Sequence, residues 1–178
     1  MFYFQLFTHS YTRRAINIRK ATHQDLNYIQ DLSEEVLPNA FHGVLTTEQI
    51  DYMLDRLYSQ EALSAELHDI HKKIYIAAID GHDVAYACVI KEGPDLFFLP
   101  KMYVDNREQG KGVGTALFKH VLSELKQAHP EPLTIEVKIN RHNRARHFYS
   151  KLGFKLVREV DTDLSECNIS QEVWSLTA

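Results

Sequence analysis

The sequence predicts a single domain of the mixed α/β (α+β) class, built on a mostly antiparallel central sheet. Its length of 178 residues suits one domain and is short for two. The apolar fraction of 44% and the charged fraction of 25% are typical of globular proteins. The hydrophobic pattern runs strand, helices, three strands, helix, strand, helix and closing strands, and the turns within the three-strand stretch are short, as in antiparallel pairs.

The first strand and the first helix are marked by a change in hydrophobic period. Residues 16–19 alternate apolar and polar side chains, which predicts a strand with one buried face. Thr22 and Asp25 then resemble a capping box, with Asp in the place of the usual Glu. Apolar residues recur at helical spacing after this box, and we expect Pro38 to end the helix because proline interrupts helical hydrogen bonding.

Two more helical segments follow. Thr46 can cap a second helix with its hydroxyl, while the Gln49 side chain reaches back to the Thr46 amide. Residues 50–57 carry an apolar stripe at helical spacing. Residues 59–70 predict a further helical segment.

A β-rich stretch comes next. Residues 74–79 and 84–90 are β-rich runs joined at Asp80-Gly81, which predicts a hairpin with a tight turn. Residues 96–104 predict another strand, although Pro100 lies within it. Because proline cannot donate to a sheet ladder, Pro100 predicts a bulge or a free edge at that point.

The second half of the chain returns to alternating helices and strands. A helix buried on one face is predicted by Val113, Leu117, Val121 and Leu125. Residues 133–139 alternate as a strand, and a helix is expected from about Asn143 to Leu152 with Gly153 as its C-terminal cap. Closing strands are predicted near residues 154–160 and 173–176.

The loop between residues 104 and 115 is the strongest candidate for a binding site. It leads from a strand into a helix through Gly110, Gly112 and Gly114. Main-chain N–H groups of such a loop can turn inward, and with the positive end of the helix dipole they form a site for a pyrophosphate. Glycines are needed there because a Cβ would block the close approach of the ligand.

Other loops share glycine-rich spacing. A Walker A loop needs four residues between its first Gly and a Gly-Lys-Ser/Thr end, which this stretch lacks. A dinucleotide-binding loop would follow the first strand of a βαβ unit, whereas this loop follows the fourth predicted strand. A tight strand-to-helix turn without a ligand fits the same spacing, so the glycines alone leave that interpretation open.

Two short motifs resemble the GNAT superfamily of N-acetyltransferases. Residues 109–114 (QGKGVG) are similar to its Q/R-x-x-G-x-G/A signature, and residues 148–154 (FYSKLGF) resemble its FYxKLGF hallmark. Residues 48–54 also resemble an uncharacterised bacterial-type subgroup. The resemblance implies an N-acetyltransferase domain over residues 16–178, with helices on both faces of the sheet. It further implies that the strand over residues 96–104 splays from its parallel neighbour to form the acyl-CoA cleft.

The resemblance also implies which residues hold acetyl-CoA. Main-chain groups of Met102 and Val104 would bond the pantetheine arm and the acetyl carbonyl. Asn143 would bond the pantetheine arm, although many family members place this asparagine one residue earlier, where this chain has His142. The pyrophosphate would lie on the loop formed by Gln109, Gly110, Lys111, Gly112, Val113, Gly114 and Thr115.

Tyr149 is the predicted catalytic residue. By the resemblance it protonates the leaving thiolate, and a tyrosine of pKa about 10 remains protonated at neutral pH while being close in acidity to a thiol of pKa about 8.5. This role requires its hydroxyl to point into the cleft, and a tyrosine of the core is the alternative. For a base that accepts the amine's proton, the sequence offers only the carboxylates of Glu34, Glu35, Asp51 and Glu136, with water or the neutral fraction of the amine as alternatives.

Composition and short sequence patterns limit which binding partners and which cellular compartment we expect. The net charge of −4 argues against a general electrostatic hold on nucleic acid. Cys88 and Cys167 form no CxxC pair, and the ten histidines form no HExxH pattern, so we predict neither a disulfide framework nor a metal. Without a signal-peptide pattern or a long apolar run, we expect a cytoplasmic protein without a membrane partner. Residues 1–15 are predicted to be a flexible appendage, with an extra edge strand as the alternative.

Two hypotheses for function follow. The first is an acyl-CoA-dependent N-acetyltransferase in which a primary amine of a small molecule or peptide directly attacks acetyl-CoA, the co-substrate, without a metal or an acyl-enzyme. Arg144 and Lys151 are additional candidates for contacts with the phosphates of the co-substrate. The second hypothesis is a non-catalytic regulatory domain that binds acyl-CoA. A homodimer is compatible with either, and no sequence pattern identifies the acceptor amine.

Overall fold

The computed structural model describes residues 14–164 and 167–178, so the predicted appendage lies almost entirely outside the described residues. The strands are β1 (Ile16–Lys20), β2 (Lys72–Ile79), β3 (His82–Lys91), β4 (Leu96–Val104), β5 (Thr134–Ile139), β6 (Lys155–Leu164) and β7 (Cys167–Thr177). They form one seven-stranded sheet in the order β1-β2-β3-β4-β5-β7-β6. Every neighbouring pair is antiparallel except β4 and β5, which run parallel.

Five α-helices accompany the described strands. A 3-10 turn at His23–Asp25 leads into the first of them, and the helices are α1 (Leu26–Ala40), α2 (Thr47–Tyr58), α3 (Gln60–His68), α4 (Val113–Ala128) and α5 (Ala145–Lys151). Both predicted capping boxes, at Thr22 and at Thr46, are present with reciprocal hydrogen bonds. No helix of the described chain is long and apolar enough to cross a membrane.

The sheet carries helices on both faces, which confirms the predicted fold class. On one face, α4 and α5 pack over a core that includes the predicted apolar positions of α4 and the alternating residues of β5. On the other face, α1 and α3 cover β2 and β3, while α2 packs against the end of α1. Burying both faces in this way excludes water from the centre of the sheet, where the parallel pair lies.

Several element boundaries differ from the sequence-based expectations. The prediction that Pro38 ends the first helix is wrong, because α1 continues to Ala40 with Pro38 inside its last turn. Proline there removes a single N–H donor, and the carbonyl that loses its partner belongs to the exposed Glu34, where water can replace the bond. The last helix begins at Ala145 rather than at Asn143, and the closing strands are several residues longer than predicted.

The parallel pair opens into a split. β4 and β5 are paired only from Leu96 to Phe98 on β4, although both strands continue well beyond these residues. On the other edge of β4, the register with β3 shifts so that Leu99 and Pro100 lie opposite the single residue Val89. The prediction of a bulge at Pro100 is thus confirmed. A bulge bends its strand and increases the local twist, which turns the end of β4 away from β5.

The bulge also exchanges the two faces of β4. Before it, Phe97 and Leu99 belong to the core under α4, whereas after it Met102 and Val104 pack against that same core. Side chains alternate along a strand, so one extra residue reverses which positions face each layer. Tyr103 therefore faces the opposite helical layer, where it contacts the cores formed by α1, α2 and α3.

This exchange places Lys101 in the interior beneath α2 and α3. Its side chain is 8% exposed, and its ammonium donates to both carboxylate oxygens of Glu66 at 2.9 and 3.0 Å and to the Leu57 carbonyl at 3.3 Å. The same ammonium lies 4.3 Å from the centre of the Tyr58 ring. A buried charge costs much free energy unless it is paired in this way, so Lys101 and Glu66 fix the helical layer to the bulged strand.

We expect Glu66→Gln to destabilise the fold because it leaves the Lys101 ammonium buried without a counter-charge. The loss should be about 3 kcal/mol in the free energy of unfolding, measured by urea denaturation. Adding Lys101→Met to Glu66→Gln should recover most of it, because the uncompensated charge is then gone. A free energy of unfolding for Glu66→Gln alone within about 0.5 kcal/mol of the wild-type value, the size of an ordinary surface effect, would contradict this expectation.

Candidate active site

The main chain of β4 presents hydrogen-bonding groups to the split. The Asp105 amide donates to the Val84 carbonyl at 2.8 Å, which makes this pair a hydrogen-bonded one in the antiparallel register with β3. Hydrogen-bonded and non-hydrogen-bonded pairs alternate along an antiparallel ladder. Met102 and Val104 therefore occupy non-hydrogen-bonded positions, and their main-chain N–H and C=O groups point away from β3. They face β5 at the point where the two strands have separated. An extended ligand can therefore pair with β4 there as a strand would.

The loop after β4 carries a row of free donors. Across the described part of the chain, none of the six main-chain amides from 110 to 115 donates a hydrogen bond to a protein atom. The first helical amide with an internal partner is that of Ala116, which donates to the Gly112 carbonyl at 3.0 Å. Gly110 and Gly112 have φ angles of 76° and 88°, a conformation that L-residues other than glycine adopt at a cost. These free donors at a helix N-terminus suit an anion.

Side chains hold this loop in shape. Gln109 donates from Nε2 to the Val104 carbonyl at 3.0 Å and to the Asn106 side chain at 3.1 Å, which fastens the loop to the end of β4. Asp105 accepts from the Arg107 amide and guanidinium, and this guanidinium lowers the pKa of the Asp105 carboxyl. The Lys111 ammonium pairs with the Glu108 carboxylate at 3.3 Å. The free amides are therefore held by a preformed loop.

The third glycine of the motif has a packing role. A Cβ added at Gly114 would lie 3.3 Å from two ring atoms of Phe148 and 3.6 Å from Val104. Gly114 thus lets the first turn of α4 approach α5 closely, next to Tyr149. In contrast, a Cβ added at Gly110 or Gly112 would meet no protein atom within 4 Å. The first two glycines therefore border open space, which is what a cradle for a ligand requires.

A cavity of about 810 Å³ joins the loop to the split. One wall comes from the end of α1 and the segment after it, and the opposite wall comes from the end of β5 and from α5. Its lining includes nine of the predicted site residues, namely Met102, Val104, Gln109, Gly110, Gly112, Gly114, Thr115, Asn143 and Tyr149. The Val113 side chain is buried in the core and the Lys111 side chain points to Glu108, so these two residues can contribute their amides only.

Tyr149, the predicted catalytic residue, lines this cavity. Its side chain is 7% exposed, and its ring packs edge-on against Phe148 and Phe154, while the residue lines the cavity. Burial raises the pKa of Tyr149 above its usual value near 10, and the neighbouring Tyr103 adds to this effect. No protein atom within the described ranges forms a hydrogen bond with the Tyr149 hydroxyl. The phenol is therefore protonated and available to donate.

Asn143 organises the turn between β5 and α5. Its Oδ1 accepts from the Ala145 amide at 2.8 Å, which explains why α5 starts at Ala145. Its Nδ2 donates to the Ala40 carbonyl at 3.4 Å, across the cavity from α5. One residue thus binds the first helical amide of α5 and connects the two walls.

The carboxylates considered as bases do not line the cavity. Glu136 accepts two hydrogen bonds from Arg158 at 2.7 and 2.8 Å, and this pairing lowers the pKa of its carboxyl. Glu34, Glu35 and Asp51 are likewise absent from the lining, whose only carboxylate among the described residues is that of Glu108 in the loop. Imidazoles and amides line the cavity in their place, and they belong to His42, His142, His147, Asn39 and Asn140. No sequence pattern identifies His42, Asn39 or Asn140 as residues of the site.

Tyr103 is another residue that sequence reasoning did not identify. It lines the cavity, and its hydroxyl lies 3.2 Å from the Tyr58 hydroxyl beneath α2. Side chains of a regular strand face the two layers alternately, but the bulge in β4 reverses this order between its two ends. A regular alternation therefore does not predict which layer Tyr103 faces. The proline at position 100 was the one available signal that the alternation changes.

Comparisons with known proteins agree with this geometry. The family model described as an acetyltransferase (GNAT) domain matches residues 41–163. An uncharacterised N-acetyltransferase of Mycobacterium tuberculosis (strain ATCC 25618 / H37Rv) is 29% identical over 133 residues, which cover 74% of this chain and 84% of that protein. A relative described in the same words from Mycobacterium bovis (strain ATCC BAA-935 / AF2122/97) matches to the same extent.

Solved structures show the same fold. The PaiA N-acetyltransferase of Thermoplasma acidophilum, crystallised in complex with coenzyme A, superposes with a TM-score of 0.79 at 21% identity and covers 92% of this chain and 99% of its own. A probable acetyltransferase of Staphylococcus epidermidis ATCC 12228 reaches a TM-score of 0.73 at 20% identity, with 92% and 99% of the two chains covered. With the family model spanning more than half of its length, the chain belongs to the GNAT family and is an acyl-CoA-dependent N-acetyltransferase.

Proposed function

We propose that this enzyme transfers the acetyl group of acetyl-CoA to a primary amine by direct attack within the 810 Å³ cavity. The observation that carries the proposal is that one cavity holds the free amides of the loop, the free edge of β4 and the Tyr149 side chain. These are the three features that acyl transfer from a long thioester with a pyrophosphate in its chain requires.

The residues present fit acetyl-CoA. The amides from 110 to 115 would hold the pyrophosphate, and the main-chain groups of Met102 together with the Val104 amide would pair with the pantetheine arm. The Val104 carbonyl is already occupied by Gln109, so we assign it no contact with the thioester. Arg144 and Lys151 line the same cavity and supply positive charge for phosphate groups.

Tyr149 would donate a proton to the departing sulfur. Its raised pKa keeps the phenol protonated, and its ring belongs to the buried core under α4, so few water molecules can compete for the donor. Asn143 would orient the arm of the co-substrate, provided that its Nδ2 exchanges the Ala40 carbonyl for the ligand.

The acceptor amine would enter along the wall formed by the end of α1. An alkylamine of pKa about 10.4 is unprotonated in only about 1 of 10³ molecules at pH 7, so its proton must be accepted before attack. The cavity provides the imidazoles of His42 and His142 and the amides of Asn39 and Asn140 at this wall and at the end of β5. We therefore propose that an imidazole, directly or through water, accepts the proton.

The same lining favours an acceptor that carries little positive charge besides the reacting amine. A polyamine would need carboxylates along the cavity, and Glu108, the only lining carboxylate of the described chain, is paired with Lys111 in the loop. An amine that bears a carboxylate or an amide, on a small molecule or at a peptide N-terminus, matches imidazole and amide partners better.

Release of free thiol from acetyl-CoA with a panel of amines tests this proposal. We expect release that depends on the added amine, faster with amino-acid amides and short peptides than with a polyamine at equal concentration. Binding of acetyl-CoA without amine-dependent thiol release would favour the non-catalytic regulatory domain instead. Preference for the polyamine would contradict the proposed acceptor class while leaving acetyl transfer intact.

A further inference from the structure

Two histidines outside the cavity bring their rings together on the face covered by α1 and α3. His23 lies in the 3-10 turn before α1, and His68 is the last residue of α3. Their Nε2 atoms are 3.4 Å apart, and the two ring planes are inclined by 52°. Neither residue lines the cavity, so the proposed acetyl transfer does not account for this pair.

The orientation of His68 is fixed by its second ring nitrogen. Its Nδ1 lies 2.8 Å from the main-chain carbonyl of Ser64. A carbonyl oxygen can only accept, so Nδ1 carries the proton, and the Nε2 of the neutral ring, 3.4 Å from the Nε2 of His23, carries the lone pair. Histidines that bind metals are commonly oriented in this way, by a hydrogen bond from the nitrogen that does not coordinate.

The separation of the two nitrogens suits a shared metal better than a direct hydrogen bond. Hydrogen bonds from nitrogen donors usually span about 2.7–3.2 Å, which is shorter than the distance found here. Two imidazole ligands of a tetrahedral Zn²⁺, each at about 2.0–2.1 Å, place their nitrogens about 3.3 Å apart. The rings are tilted rather than stacked, with centroids 4.8 Å apart, so the two Nε2 atoms are the closest ring nitrogens to a shared ion. The C-terminal end of α3 also favours a cation electrostatically.

We propose that His23 and His68 form a two-histidine site for a divalent transition metal, with Zn²⁺ as the test ion. Imidazole is a ligand that Zn²⁺, Cu²⁺ and Ni²⁺ all accept. No group of three or more His, Cys, Asp or Glu side chains in the described chain is placed to share a metal, so water completes the coordination. Because the two ligands are 45 residues apart in sequence, the bound ion ties the start of α1 to the end of α3.

Calorimetric titration of untagged, chelator-treated protein with ZnCl₂, together with thermal unfolding, tests the site. We expect saturable binding of one Zn²⁺ and a higher Tm in its presence, because the two ligands come together only in the folded helical layer. His23→Ala and His68→Ala should each lose both effects. His82→Ala is the matched control, since His82 is exposed at the far end of the β2–β3 hairpin and should bind Zn²⁺ as the wild type does.

Two results would overturn the proposal. One is the absence of saturable Zn²⁺ binding by the wild type, which would leave the pair as a simple contact between two rings. The other is Zn²⁺ binding by His23→Ala and His68→Ala at wild-type affinity, which would place the ion elsewhere.

Discussion

Replacing Tyr149 with Phe should lower kcat by about 100-fold or more, because positioned proton donors contribute about 10²–10⁴ to rate. The Phe ring retains the edge-on packing against Phe148 and Phe154, so the fold and the KM for acetyl-CoA should change little. Thiol release under saturating acetyl-CoA, compared with calorimetric binding of the same co-substrate, separates the rate effect from the binding effect.

The pH profile adds a second readout for Tyr149. Burial raises the pKa of its phenol above the usual value near 10, so the proton donor stays protonated as the pH rises from 7 to 9. The wild type should therefore show no fall in activity from deprotonation of this phenol over this range, and the loss caused by Tyr149→Phe should persist throughout it. An unchanged rate in Tyr149→Phe across pH 7–9 would remove Tyr149 from the reaction.

Tyr75→Phe is a matched control for this variant. Tyr75 is also buried, its hydroxyl has no partner in the described structure, and burial raises its pKa to about 12. It lies under α4, outside the cavity. Removing its hydroxyl should leave kcat unchanged, so a similar loss in both variants would point to a general effect of deleting a buried phenol.

Gly112→Ala should weaken the binding of acetyl-CoA by about 10- to 100-fold, since one hydrogen bond to a charged group contributes about 1.5–3 kcal/mol. The added methyl meets no protein atom within 4 Å, so the chain can still fold. The methyl instead enters the open space beside the free amides and disfavours the φ angle of 88° that aims them. Isothermal titration calorimetry with acetyl-CoA gives the change in Kd directly.

Gly81→Ala is the control for backbone strain. Gly81 has a φ of 80° and open space around its Cα, which matches Gly112, but it lies at the tip of the β2–β3 hairpin. Both variants should lose about 1 kcal/mol of stability, as expected for an alanine held in the left-handed region. Only Gly112→Ala should lose affinity for acetyl-CoA, and equal affinities in the two variants would contradict the assignment of the loop.

Most of the fold can be predicted from patterns among residues that are close in sequence. The capping boxes at Thr22 and Thr46 and the turn at Asp80-Gly81 depend on a few neighbouring residues, so they are readable in sequence. The buried stripe of α4 follows from helical periodicity for the same reason. The phosphate loop combines both kinds of signal, since glycine spacing and the start of a helix lie within ten residues of each other.

Features that depend on contacts between distant segments were not predictable. Pro38 does not end α1, because the local cost of a lost hydrogen bond is outweighed by the packing of α1, in which Val36 and Leu37 are buried. Residue type predicts a carboxylate as the base, whereas the cavity is lined by histidines and amides from three separate segments. The partner of Lys101 is 35 residues away, and no periodicity links it to Glu66.

The crystal structure of the complex with acetyl-CoA tests the central claim most directly. We predict that the pyrophosphate oxygens accept hydrogen bonds from main-chain amides between residues 110 and 115, with the pantetheine arm between β4 and β5 beyond Phe98. A complex in which the pyrophosphate contacts only the side chains of Arg144 and Lys151, and leaves the loop amides free, would contradict it.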